Sequence, residues 1–239
     1  SVAWVWNAGT TTDPSNDDGS IDSEVRASTT AGFSCVSYTG DGSAATIGHG
    51  LNASPDLIIK KFRSSTSTWD VWHKSLGAGQ RLVLNDDRDK ESSSSYQSVN
   101  SSTFDVHAGN NDNSVTMIAF CWSEVAGFSK FSSYEGNGNA DGPFVYCGFK
   151  PAWVMIKNID TTPERNWRIY DSARVSGSNP VNLIFYPNHD SSDTTTSHPL
   201  DFLSNGFKVR GTFQNINENG KDHIFAAFAE KPFKYSNAI

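Results

Sequence analysis

The sequence predicts an all-β chain: two tandem β-sandwich domains that arise from an internal repeat. Three observations predict it. Seven short blocks recur in the same order about 100 residues apart, most of them pattern as strands, and good helix formers are nowhere concentrated at a 3.6-residue period.

The repeat is read block by block. Gly32-Phe33-Ser34 recurs as Gly127-Phe128-Ser129, and Tyr38-Thr39-Gly40-Asp41-Gly42 as Tyr134-Glu135-Gly136-Asn137-Gly138. Pro55 to Lys61 matches Pro151 to Lys157, and Trp69-Asp70-Val71-Trp72 matches Trp167-Arg168-Ile169-Tyr170. Leu82-Val83-Leu84 pairs with Leu183-Ile184-Phe185, Phe104-Asp105-Val106 with Phe207-Lys208-Val209, and Ile118 to Glu124 with Ile224 to Glu230. The offset drifts from 95 (Gly32 to Gly127) to 106 (Ile118 to Ile224), as small loop insertions produce. Helical solenoid repeats are much shorter, so a unit of this length is a duplicated domain.

Leu57-Ile58-Ile59 and Val154-Met155-Ile156 are continuous apolar runs, as in strands covered on both faces. Trp69-Asp70-Val71-Trp72 and Phe104-Asp105-Val106 alternate. Turn clusters separate them, among them Asp41-Gly42-Ser43, Asn85-Asp86-Asp87 and Asn110 to Asn113. About seven short strands per copy point to a β-sandwich, with a closed barrel as the alternative. The expected organisation is residues 1–31 as an N-terminal strand and linker, 32–125 as the first sandwich and 126–239 as the second. Within the first part, Ala3-Trp4-Val5-Trp6 resembles the block that closes each repeat. It reads as the last strand of a preceding repeat, in a gene product that extends N-terminally. Residues 10–31, rich in Thr, Ser and Asp, read as a connecting loop.

Composition narrows the function classes. The net charge of −7 repels phosphate backbones, which argues against nucleic-acid binding. No run of 18 apolar residues exists to span a membrane, and the start has no basic region of a signal peptide. Cys35, Cys121 and Cys147 make no disulfide framework and read as small buried thiols kept reduced in a cytoplasm; a Cys35–Cys121 bridge is the alternative.

No complete catalytic motif is present, so no catalytic residue, no cofactor-binding residue and no metal ligand is assigned, and the chain is expected not to be an enzyme. The six histidines are scattered, and only His73 falls beside a matched block, opposite Asp171. Asp13, Ser15, Asp17 and Glu24 echo a calcium loop, but the turn glycine comes one place late, at Gly19; a solvated loop is the reading adopted. The charge run Asp86 to Glu91 reads as a solvated hairpin tip. Trp69, Trp72, Trp167 and Tyr170 offer a sugar-stacking platform, yet at period two half of them must face the core.

The segments GFSKFSSYEGNGNADGPFVYCGFKPAWVMIKN, NWRIYDSAR, DFLSNGFKVR and IFAAFAEKPFK resemble a family of repeat-containing structural proteins of marine bacteriophages, with the likeness running from Trp4 to Lys234. The resemblance implies a virion protein of the tail or fibre apparatus, assembled in the host cytoplasm. Its expected partners are other virion proteins, further copies of itself and a host-surface glycan. A capsid decoration protein, a carbohydrate-binding adhesin and a glycan-degrading tailspike are the alternatives.

Overall fold

The computed structural model describes residues 3–160 and 165–230. Ser1, Val2 and the Pro232-Phe233-Lys234 end of the resemblance lie outside the described residues. The chain divides into two compact units, Ser1–Val83 with Glu91–Val125, and Leu84–Lys90 with Ala126–Ile239. The all-β expectation holds, and the fold is sandwich-like.

The first unit contains β1 (Thr12–Asn16), β2 (Ser23–Ser28), β3 (Phe33–Thr39), β4 (Ala45–Gly48), β5 (Leu57–Phe62), β6 (Asp70–His73), β7 (Gln80–Val83), β8 (Glu91–Ser92), β9 (Thr103–Val106) and β10 (Thr116–Trp122). Eight of these form one sheet in the order β1-β2-β3-β10-β5-β6-β7-β8, and β4 pairs with β9. The last strand in sequence, β10, is therefore central: Ala119 faces Val36 of β3 on one side and Lys60 of β5 on the other. Its alternation explains this place. Met117, Ala119 and Cys121 are buried in the core with Tyr38, Ile58 and Phe104, while Ile118 and Phe120 point to the other face.

The second unit contains β11 (Ser129–Glu135), β12 (Asp141–Tyr146), β13 (Pro151–Asn158), β14 (Arg168–Asp171), β15 (Val181–Phe185), β16 (Thr194–Leu203), β17 (Gly206–Arg210), one short helix α1 (Gln214–Asn217) and β18 (Asp222–Ala229). All eight strands join one sheet, β11-β18-β13-β14-β15-β16-β17-β12. Its two end strands, β11 and β12, are consecutive in the chain, so the sheet curls until it is nearly closed. Val154, Ile156, Tyr170, Phe207 and Phe225 fill its interior.

The ladders of the two units can be compared directly. Leu57 faces Trp122 and His73; Trp153 faces Phe228 and Asp171. Tyr38 faces Met117, and Tyr134 faces His223. Three matched blocks of the sequence thus share one register. Two blocks are displaced. Phe33 faces Trp122 whereas Ser129 faces Phe228, so the Gly-Phe-Ser match is out by one residue. Val71 faces Leu82 whereas Ile169 faces Phe185, which sets the Leu82 block two residues off its expected partner. Both displacements keep chemically similar residues together in sequence while turn lengths reset the ladder.

Residues 10–31 are not a plain connecting loop. They contain β1 and β2, and β2 lies along β3 with Val25 opposite Val36. The pattern of Ser23–Ser28 was masked by its polar residues: Val25 turns into the core while Glu24 and Arg26 face solvent. The expected N-terminal strand is absent from the described residues 3–9. They run extended without a ladder, with Arg26 Nε donating to the Gly9 carbonyl at 2.9 Å. Trp6 lies edge-on to Trp122 at 5.6 Å between centroids and 6.4 Å from Phe33. Ring packing, not strand addition, is what holds it.

Trp6→Ala should lower unfolding free energy by about 1–2 kcal/mol, less than the loss of a fully buried ring. Urea denaturation measures it, and the far-ultraviolet circular dichroism should be unchanged.

Candidate functional site

The most elaborate polar cluster of the first unit sits inside it. On β5, Ile58, Lys60 and Phe62 share the inward face; on β6, Asp70 and Trp72 do. Lys60 and Asp70 oppose each other in the ladder, 1% and 3% exposed. The Lys60 ammonium donates to the Asn110 carbonyl at 2.6 Å and lies 3.9 Å from Asp70 Oδ2. Asp70 Oδ1 accepts from Arg81 Nη1 at 3.0 Å and from the Thr68 hydroxyl at 3.1 Å. Arg81 in turn holds Glu91 at 2.8 Å. Burial pushes the Lys60 ammonium from an ordinary 10.5 down to about 8, opposed by the Asp70 charge and reinforced by Arg81. The hydroxyls of Tyr38 and Tyr96 are buried without a hydrogen-bond partner, and burial, with Asp70 adding to it, drives both phenols far up.

This arrangement is a closed network of two cations and two anions. Each charge is committed to an opposite one, which suits holding four strands in register better than moving protons. At its rim two shallow clefts meet. One, of about 340 Å³, is lined by Ser20, Thr46, Ser94, Asp105 and His107 among others; its neighbour, of about 190 Å³, shares Ser94 and His107 and reaches Arg81. His107 Nδ1 accepts from the Gly109 amide at 3.3 Å.

The sequence placed Lys60 opposite Ile156 in the repeat, and the register agrees: Ile156 faces Arg168 as Lys60 faces Asp70. The repeat match alone does not mark Lys60 and Asp70 as partners. The usable signal was parity: Lys60 shares the inward face with Ile58, and Asp70 with Trp72. In the second unit the same place holds Arg168, 4% exposed. Its guanidinium is 4.3 Å from the Phe213 ring centroid and bonds the Tyr186 hydroxyl at 3.2 Å. Here aromatic faces replace a carboxylate partner.

The other sequence candidates separate. Asp13 accepts from the Ser15 amide on β1, Asn16 Nδ2 donates to Asp18, and Glu24 projects from β2. No group of three or more His, Cys, Asp or Glu side chains fit to hold a metal exists among the described residues. The charge run Asp86 to Glu91 is not a simple solvated tip. Leu84–Lys90 count with the second unit, where the Asp87 carbonyl accepts from the buried Lys157 ammonium at 2.9 Å and from the Arg165 amide at 3.0 Å. Burial lowers Lys157 to about 8, against the pull of Asp89, Asp87 and Asp86.

All three cysteines are free thiols. A Cys35–Cys121 bridge is excluded by the pleat: Cys35 faces Phe120 and Cys121 faces Ser34, so the two side chains leave opposite faces. Trp72, Trp167 and Tyr170 are buried, so those aromatics form no platform. The large apolar side chains that are exposed among the described residues are Val5, Phe144 and Tyr146.

A family model described as a domain of unknown function (DUF7483) matches residues 1–232, spanning both units. No curated protein and no solved structure matches the chain.

Asp70→Asn should cost about 3–5 kcal/mol, because it leaves a buried cation without its counter-charge; Lys60→Met with Asp70→Leu should cost less than Asp70→Asn alone. Denaturant titration of the three proteins decides it. Lys60 also carries a pH signature. Between about pH 8 and 10.5 the unfolded chain holds more protons at this residue than the folded one, so its contribution to stability rises with pH. The stability of the native chain relative to Lys60→Met should therefore increase from pH 7.5 to 9.5. The subtraction cancels the opposing thiols and phenols. A calcium chelator should leave the melting temperature unchanged.

Proposed function

The chain belongs to the DUF7483 family, and from there we propose that it is a non-catalytic structural protein of a bacteriophage particle. In this reading it is part of the tail or fibre apparatus and acts through contacts with other virion proteins, with further copies of itself and with the host surface. In this reading its two units are duplicated sandwich domains centred on residues 32–125 and 126–239, the first extended by β1 and β2 from residues 1–31 and the second by Leu84–Lys90.

The observation that supports the reading is that the Leu57 and Trp153 strands, with their neighbours, pair at the same register in the two units. A tandem of such units is a spacer whose strands stay fixed while its loops vary, the property needed in a surface-presenting particle protein. Two further features support it. Three free thiols fit assembly in a reducing cytoplasm, and the buried Lys60 and Asp70 of the first unit are tied to each other and to the half-buried Arg81 and Glu91. Between the alternatives, an adhesin role gains from the exposed Phe144 and Tyr146, which a decoration protein does not require.

Antibodies against the purified chain should label particles of the phage that encodes it at a regular position in electron micrographs. Intact particles that carry neither label nor peptides of this chain by mass spectrometry would falsify the proposal.

A further inference from the structure

We infer that the outer face of β12, β17 and β16 is a binding platform for a neutral saccharide. The inference deepens the host-surface part of the reading above and rests on it only for its biological setting.

The face is set by register. Phe144 and Tyr146 leave β12 on the side away from Val145, which is in the core; they are 44% and 63% exposed. Two residues apart on one strand, the rings stand about 7 Å from each other, side by side like two consecutive sugar rings. Tyr146 faces Gly206 on β17, and Gly206 faces Leu203 on β16. A phenol and a leucine thus stand two strands, roughly 10 Å, apart with a glycine between them. Only glycine fits there, because a Cβ would lie 2.1 Å from the Val145 carbonyl oxygen. Gly206 itself is buried, and the Tyr146 ring lies beside Gly148, where a Cβ would come within 3.6 Å of its hydroxyl. The result is an aromatic strip of Phe144 and Tyr146.

Polar groups line the neighbouring row. Phe144 faces Lys208, and Lys208 faces Asp201. The Lys208 ammonium is 2.8 Å from Asp141, and Arg210 bonds Asp201 and lies 3.4 Å from Asp141. Two carboxylates and two cations cancel in net charge. Such a ladder offers both donors and acceptors beside an aromatic face without attracting either sign of ion. That combination fits a neutral polyol with one apolar ring face, and it fits neither an anionic polymer nor a purely apolar partner.

The corresponding face of the first unit shows what is special here. There β4 pairs with β9, with Thr46 facing Asp105 and Gly48 facing Thr103. The chain's own loop covers it: the Ser20 amide donates to the Thr46 carbonyl at 2.9 Å, and Asn16 Oδ1 sits 1.7 Å from where a Gly48 Cβ would be. Close covering by a peptide loop needs small residues at those places. Phe144 and Tyr146 occupy them in the second unit, where a loop seated that closely would collide with both rings. A flat ligand stacked on the rings would not.

The test uses the full chain against a panel of neutral gluco-, manno- and galacto-oligosaccharides of four to six sugars, read by calorimetry and by saturation-transfer nuclear magnetic resonance. At least one should bind in the micromolar to millimolar range, with affinity unchanged by 0.5 M sodium chloride. Tyr146→Ser should weaken it at least tenfold and Phe144→Ser at least threefold, with melting temperatures unaltered. Val5→Ser, which removes an exposed apolar residue elsewhere, should leave it intact. The inference is overturned if no panel member binds at 10 mM, or if the double variant binds like the native chain. It is equally overturned if Tyr146→Ser abolishes self-association of a chain that binds no sugar, which would make the face a subunit contact. Sugar binding by a protein absent from particles would remove the virion reading and keep the platform; labelled particles without sugar binding would do the reverse.

Discussion

Each unit depends on one strand that arrives last. β10 closes the first unit and β18 the second, and each is hydrogen-bonded on both sides, between β3 and β5 and between β11 and β13. Until that strand is in place, its two neighbours have no ladder between them and the inward rows of Val36 and Ile58, or of Tyr134 and Val154, have nothing to pack across. The apolar content of these strands follows from their position. A strand covered on two edges and two faces cannot carry many polar side chains, and Asp222–Ala229 is buried from His223 to Phe228. Pairing residues so far apart in sequence also makes closure slow compared with a fold built from local contacts.

The buried charges of the first unit, Lys60 and Asp70, answer each other, although the hydroxyls of Tyr38 and Tyr96 stay unpaired. Lys60, Asp70, Arg81 and Glu91 come from four strands and alternate in sign. The second unit solves the same position differently, with Ile156 on β13 and Arg168 laid against Phe213 and Tyr186. One architecture thus tolerates either an ionic or an aromatic lining at the same place, provided the charge is not left bare.

Much of the fold was legible in the sequence because the strands that matter most are the most apolar. Leu57-Ile58-Ile59 and Val154-Met155-Ile156 declare themselves as covered strands, and Ile118 to Trp122 matches Ile224 to Phe228 residue for residue in the ladder. What stayed hidden has physical reasons. β2 is half polar because one of its faces meets water, so Ser23–Ser28 looked like linker. Trp4 and Trp6 looked like a strand because alternation signals burial of one side, and a half-buried extended segment alternates as well. The Lys60–Asp70 pair and the Phe144–Tyr146–Lys208 surface depend on which residues face each other across strands far apart in sequence, and register is not written in any one segment. Phe144 and Tyr146 in particular alternate with Val145 like any core strand; only the fold tells which side is wet.

Central strands that pair at the same register in two units of one chain are the ones exposed to mispairing during synthesis. The interior charges oppose this. If β5 were to pair with β18 in place of β10, Lys60 would stand where Ile156 stands, opposite Phe225, with Arg168 rather than Asp70 on its other flank. Two cations would then be enclosed without an anion. The Lys60–Asp70 pair of the first unit would thus disfavour that exchange, because only its own partner strand supplies the anion.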